Sequence, residues 1–263
     1  MVALARKIRA AKTCIFCGGG KLTREHLWPQ WSAPLFDGAR DPTYYDFSTA
    51  VDRHTRAMSE TKHYTRTGGA HTKRLRVVCG ACNSGWMSGL ETQVRHILEP
   101  LALDRAISLH ATDQLVLAKW IAMKVMVAEH NIATLEVTSR EARSEFRQSG
   151  AIPDGMRIWL WRCGAARWRT RWDRYVFGLY AEDEAPSGGL NAQDVTFGFG
   201  HLLINCLQAA KPEHALLTEP SALHSRQLWP VSNSQLEWPP ERLTADEADQ
   251  IAHTTERVLF EAR

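Results

Sequence analysis

The chain lacks strong net charge, long apolar runs and internal repeats. Its formal charge is +3 over 263 residues, too weak to imply a polyanion partner by itself. The most apolar stretch, Leu115 to Val127, is interrupted by Lys119 and Lys124, which argues against a membrane span there. The start, Met1 to Lys12, is basic but has no apolar core region before Cys14, so no secretory leader is expected. No membrane partner is expected, and the cytoplasm is the default location. Cysteine is scarce, with six in the chain. In a reducing compartment these should be free thiols or metal ligands, not disulfides.

Apolar residues make up 44% of the chain and charged residues 23%, enough to bury a sizeable core in one large or two ordinary domains. Lys21 to Trp28 is a candidate strand ended by Pro29, and residues 34–70 are punctuated by Pro34, Gly38, Pro42, Gly68 and Gly69 and read as irregular. Leu75 to Val78 is a short strand, and a helix is expected from about Ser84 to Leu98, stopped by Pro100. A second helix, Asp113 to Glu129, is capped by Thr112 and apolar nearly all round, hence buried. Beyond Gly150, aromatic and β-branched runs at Arg157–Arg162, Trp168–Trp172, Tyr175–Ala181 and Val195–Gln208 read as an antiparallel sheet, with a turn at Pro186–Gly189. A terminal helix is expected over Ala245–Glu261. The change of texture divides the chain into residues 1–105 and an α+β region, 106–263, of unassigned role.

Cys14-Ile15-Phe16-Cys17 and Cys79-Gly80-Ala81-Cys82 are two C-x2-C knuckles. Two-residue spacing lets one tight turn present both sulfurs to one ion, and four thiolates satisfy a tetrahedral zinc. Such a site is closed and therefore structural. It would fasten the ends of a long loop that could not otherwise order itself cheaply. The alternatives are a redox dithiol or chance spacing. Cys163 and Cys206 stand singly in strand-like runs and read as buried thiols.

Thr23-Arg24-Glu25-His26-Leu27-Trp28-Pro29 follows the first knuckle, and Asn83 follows the second. This order resembles the zinc-knuckle members of the HNH endonuclease superfamily and is similar to phage Holliday-junction resolvase nucleases. The resemblance covers about residues 14–91. It implies an α+β architecture: an N-terminal zinc-stapled ββα-metal module, followed by a helical and antiparallel β domain. It implies an endonuclease in which His26 is the general base and Glu25 and Asn83 hold a catalytic Mg²⁺ or Mn²⁺. Glu91, eight residues after Asn83, is a third candidate ligand two helical turns on.

The residue types suit that chemistry. An imidazole can deprotonate water near neutral pH. A carboxylate and an amide oxygen are hard ligands for a cation that offsets charge on the phosphate. Each residue also has a plainer reading: a half-buried histidine, a solvated acid, a helix N-cap. The family's middle Asn, which orients the catalytic His, is replaced here by the Thr72-Lys73-Arg74-Leu75 neighbourhood, so another group must orient His26. Adjacent strand residues also face opposite ways, so Glu25 and His26 share a site only if the strand bends or ends there.

DNA is the expected partner, with RNA as an alternative. Arg24, Lys73, Arg74 and Arg76 are candidates for holding phosphates, and Arg53, Arg56, Lys62 and Arg66 extend the same basic block. That block reads equally as a solvated surface. In the C-terminal region, Arg157, Arg162, Arg167, Arg169, Arg171 and Arg174 interleave with Trp159, Trp161, Trp168 and Trp172. Either this is a stacking surface for nucleic acid, or it is a half-buried sheet with tryptophan inside and arginine outside. The other function class is a non-catalytic zinc-dependent protein that binds nucleic acid, and a third is a protein–protein adaptor on a zinc scaffold.

Overall fold

The computed structural model describes residues 11–36, 72–131, 136–178, 191–212 and 224–254, and the backbone of two strands at 43–51 and 58–67. The fold is mixed α+β. Strand β1 (Leu22–His26) leads into a 3-10 turn and the four-residue α1 (Ala33–Phe36). Strands β2 (Thr43–Val51) and β3 (Met58–Thr67) follow, then β4 (Arg74–Cys79). The segment read as irregular therefore contains two strands. Pro42 and Gly68 flank those strands and do not interrupt them, so the punctuation marks their ends.

β4 runs into α2 (Gly80–Cys82), a π-turn over Asn83–Met87 and α3 (Ser88–Ala102). Pro100 does not stop α3; the helix continues through it to Ala102. Leu101 and Ala102 are buried, and the Ala102 carbonyl accepts from His201 N at 3.0 Å, which holds the last turn in place. β5 (Ile107–His110) precedes α4 (Ala111–Ala128), whose N-cap is His110 and not Thr112. His110 N donates to Asp113 Oδ2 at 3.2 Å, satisfying an amide that would otherwise be orphaned there.

α5 (Arg140–Ser149) starts on Ser139, whose hydroxyl accepts from Ala142 N, and ends at Gly150 with φ 72°. The strands β6 (Met156–Cys163), β7 (Trp172–Phe177), β8 (Ala192–Phe199) and β9 (Leu202–Ala209) come next. Trp168 closes a 3-10 turn and does not begin a strand. The run expected as one strand from Val195 is a hairpin that turns at Gly200, φ 66°. A Cβ there would lie 2.5 Å from the Ala102 carbonyl oxygen, so the hairpin tip needs glycine twice over. β10 (Arg226–Trp229), β11 (Gln235–Trp238), β12 (Arg242–Leu243) and α6 (Ala245–Ala252) complete the described chain. The turn expected at Pro186–Gly189 and the end of the terminal helix lie outside the described residues.

Among the described residues there are three sheets. β1 pairs with β4, and β11 with β5. The large sheet runs β10-β6-β9-β8-β7-β2-β3, with β12 beside β6. Its β2–β7 and β6–β12 pairings are parallel. Both faces of its centre are buried. Ile158, Leu160, Val195, Phe197 and Ile204 pack into the apolar cluster that contains α4, α3 and Phe16. Trp159, Trp161, Tyr175, Phe177 and Leu203 pack on the opposite face, with Ile251 of α6. The first cluster takes residues from Cys14 to Trp238, so one core spans both sides of position 105. At the end of α4, fully buried Glu129 accepts from Thr138 Oγ1 and Gln193 Nε2 at 2.5 Å each and pairs with Arg143 at 3.3 Å. These bonds fix where α4 sits against the sheet. No helix among the described residues is long and apolar enough to cross a membrane.

The arginine–tryptophan strip is not an exposed stacking surface. Trp159, Trp161, Trp168 and Trp172 are all buried. Arg167 pairs with Asp246 and Asp249, Arg171 with Asp173, and Arg174 donates to Gln193 at 2.7 Å. Arg162 makes a two-pronged bond to Asp104, 2.7 and 2.8 Å, and Arg242 reaches the same carboxylate at 2.5 Å. Burial alone would raise the Asp104 pKa, but Arg162 and Arg242 outweigh it and hold the carboxyl below its ordinary range. The bonds therefore add stability above the ordinary carboxylate range and lose it as the pH falls through the lowered value. Asp104→Asn is expected to cost about 1–3 kcal/mol at pH 7 and to flatten the acid limb of a stability–pH curve. Asn tolerates the left-handed backbone here, φ 61°. Urea unfolding from pH 7 to 2 reads it; identical curves for both proteins would refute the assignment.

Candidate metal centre and adjoining cleft

The first knuckle precedes β1 and the second sits at the end of β4. Antiparallel pairing places Leu22 opposite Cys79, so a register set far apart in sequence joins the two knuckles. Ile15 N donates to the Val77 carbonyl at 3.0 Å, and Gly18 N closes the first knuckle on the Cys14 carbonyl at 2.8 Å. Gly18 takes φ 73°, a conformation that glycine adopts without a steric cost. The sulfurs of Cys14, Cys17, Cys79 and Cys82 all lie within 4.8 Å of one another. Cys17 Sγ and Cys79 Sγ are 3.6 Å apart. A tetrahedral ion with metal–sulfur bonds of about 2.3 Å sets its sulfurs about 3.8 Å apart, so the four thiols can hold a metal such as zinc.

Their electrostatics differ. Burial works against a thiolate at Cys14, but backbone N–H groups of Cys79, Cys17 and Phe16 outweigh it and bring the pKa down to about 7. Burial pushes Cys82 up to about 12. Amides aimed at sulfur are the supporting contacts a thiolate site needs. Phe16 packs edge-on to Trp86 at 5.0 Å, and Trp86 lies 5.8 Å from Phe146. Trp86 and buried Met87 thus fasten the helical segment to the core.

Beside this centre lies a cleft of about 410 Å³ whose lining includes Glu25, His26, Gln30, Trp31, Asn83 and Glu91. The pairing of β1 is irregular between Thr23 and Glu25, and β1 ends at His26. This break in the strand lets consecutive residues reach one cleft. Asn83 is not a helix N-cap. Its amide nitrogen donates to Thr23 Oγ1 at 3.0 Å and to the Arg24 carbonyl at 3.3 Å, tying the π-turn to β1. Gln30, four residues after His26, brings its amide to 3.2 Å from His26 Nε2. The contact gives the His26 ring an oriented neighbour. The sequence signal for Gln30 was weak, because glutamine is common on any surface.

Lys124 also belongs to this cluster. Its Nζ lies 2.6 Å from Glu25 Oε1 and 2.6 Å from Glu91 Oε1, and donates to the His26 carbonyl at 2.8 Å. Burial opposes its charge, but Glu25 and Glu91 outweigh burial and raise its pKa above the ordinary lysine value. A partial sign existed: a lysine on an apolar helix needs an acid partner if it is buried, but the sequence does not say which of Lys119 and Lys124 is the buried one.

The basic candidates lie elsewhere. Arg24, Arg74 and Arg76 are exposed on the β1–β4 pair and are not among the cleft-lining side chains. Arg74 is the cross-strand neighbour of His26, and Arg76 Nε donates to the Leu22 carbonyl at 3.3 Å. Lys73 is half-buried, and its carbonyl accepts from Leu27 N at 3.0 Å. The side chains of Arg53, Arg56, Lys62 and Arg66 lie outside the described residues. Arg95 stacks over Trp31 at 5.3 Å, on the rim of the cleft.

The hard donors expected to hold Mg²⁺ or Mn²⁺ are thus neighbours, but an ammonium already bridges the two carboxylates. As arranged, Glu25 and Glu91 do not fit a divalent ion. Comparison with known proteins returned no matching family, no matching curated protein and no matching solved structure.

Proposed function

We propose that this chain is an endonuclease of the HNH, ββα-metal kind that hydrolyses phosphodiester bonds of DNA. The observation that carries the reading is topological. β1 pairs with β4, β4 runs into the helical segment, and four cysteines stand at the junction. His26 and Asn83, the residues that the HNH resemblance singles out, line one cleft beside them.

In this reading Cys14, Cys17, Cys79 and Cys82 hold a structural zinc. When bound, it supplies a closed tetrahedral fastening with no open position. His26 takes the proton from the attacking water as general base. Gln30 keeps the imidazole ring in orientation. Arg24, Arg74 and Arg76 offer a basic β1–β4 face to the sugar–phosphate backbone, with Lys73 at its edge. The resemblance assigns charge neutralisation to Mg²⁺ or Mn²⁺ on Glu25, Asn83 and Glu91. Lys124 lies against both carboxylates, so that ion would have to displace a buried ammonium to reach them.

The second reading, a non-catalytic zinc protein that binds nucleic acid, draws on the same Lys124 observation. Plasmid relaxation separates the two. Zinc-loaded protein is incubated with supercoiled DNA, with and without added Mg²⁺ or Mn²⁺, beside His26→Ala of equal zinc content. Nicking that needs His26 supports the nuclease, and the same assay on RNA distinguishes that substrate. Salt-sensitive binding without nicking under every condition moves the function to the second reading.

A further inference from the structure

A fully buried cation, Lys124, lies against two carboxylates that line the cleft. Three oxygens surround Lys124 Nζ: Glu25 Oε1 and Glu91 Oε1 at 2.6 Å each and the His26 carbonyl at 2.8 Å. An ammonium has three protons and no acceptor. The Glu25 and His26 contacts are directed hydrogen bonds, while Glu91 is held as an ion pair. The Lys124 side chain is fully buried and that of Glu25 is 6% exposed. Such a pair persists only with close geometry, because each partner alone would be a buried uncompensated charge.

We propose that Lys124, buried behind the cleft, takes the place between Glu25 and Glu91 that a divalent ion would occupy, so that the protein binds no Mg²⁺ or Mn²⁺ on this carboxylate pair. Three arguments support it. The ammonium is tethered to α4, so it competes at a high effective concentration that free ions in solution do not match. The oxygens stand at nitrogen–oxygen distances, whereas Mg²⁺ demands about 2.0–2.1 Å in near-ideal octahedral geometry. Adding a divalent ion beside the ammonium would leave excess positive charge against a fully buried lysine, and expelling the ammonium would break three contacts at once. The inference does not depend on the nuclease reading, and it takes from that reading the ion that the resemblance assigns to Glu25 and Glu91.

Mn²⁺ alone is the probe, titrated into zinc-loaded full-length protein and followed by loss of the free-ion EPR signal. Mn²⁺ competes poorly with zinc for thiolates, so the cysteine centre does not interfere. Wild type and Glu25→Gln are expected to bind Mn²⁺ indistinguishably. Lys124→Met is expected to gain affinity by roughly tenfold or more, and to lose that gain when Glu25→Gln is added. A wild-type Mn²⁺ site that Glu25→Gln weakens by roughly tenfold overturns the inference, as does a folded Lys124→Met that gains nothing. If Lys124→Met does not fold, the wild-type and Glu25→Gln comparison decides alone. Cleavage is not the readout. An inactive protein without a Mn²⁺ site counts against the nuclease reading and leaves this one standing.

Discussion

Cys82→Ser is expected to leave the purified chain without zinc and to lower its melting temperature by roughly 10 °C or more. The argument rests on what the cysteines join. Cys17 and Cys79 are 62 positions apart, and β2 and β3 lie between them. The metal would add to the short β1–β4 pairing and a few hydrogen bonds, such as Ile15 N to the Val77 carbonyl, in holding the ends of that excursion together. A serine hydroxyl is a poor replacement for thiolate at a soft ion, and loss of a structural metal belongs among the largest single-site effects, about 4–5 kcal/mol or above. The damage would reach the cleft, because Asn83 follows Cys82 directly and is tied to Thr23. Zinc analysis with calorimetry reads this, with Cys163→Ala as the control that keeps its metal. One zinc per chain in Cys82→Ser, or a zinc-free wild type that melts unchanged, would remove the metal from the account.

His26→Ala is expected to cut the rate of plasmid nicking by about 10²–10⁴-fold, with zinc content and melting temperature unchanged. The size follows from the role of a positioned base, which lowers the barrier for deprotonating water without making the substrate bind tighter. DNA affinity at fixed salt should therefore stay near wild type while the rate collapses. Gln30→Ala should lose less, roughly tenfold in rate, because the ring remains but its orientation loosens. If His26→Ala nicks as fast as wild type, the cleft is not where the water is activated. A variant that loses rate and DNA affinity together would make His26 a binding residue.

Much of the local structure was legible because it rests on short-range rules. The buried helix α4 follows from an apolar surface all round, and α6 begins at Ala245, where a terminal helix is expected. The knuckles are readable because two thiols two residues apart can share one ion wherever the rest of the chain goes. Residues 43–51 and 58–67 form strands although residues 34–70 read as irregular, for a local reason. Glycine and proline mark ends, here Pro42 and Gly68, and say nothing of the unpunctuated residues between them. The arginine–tryptophan strip was ambiguous because alternation cannot tell whether one face of a strand is covered or both. Here α6 covers one face and α4 the other.

The sequence alone determined the two thiol pairs, the Glu25–His26 couple and the lysine on an apolar helix, since these are matters of residue type and spacing. Only the tertiary structure decided what they meet. The β1–β4 register joins knuckles that are distant in the chain, and α4 packs so that Lys124 reaches Glu25 and Glu91. The physical reason is that chemistry belongs to side chains and can be read one residue at a time. Whether two carboxylates face water, a metal ion or an ammonium depends on which distant helix is packed against them.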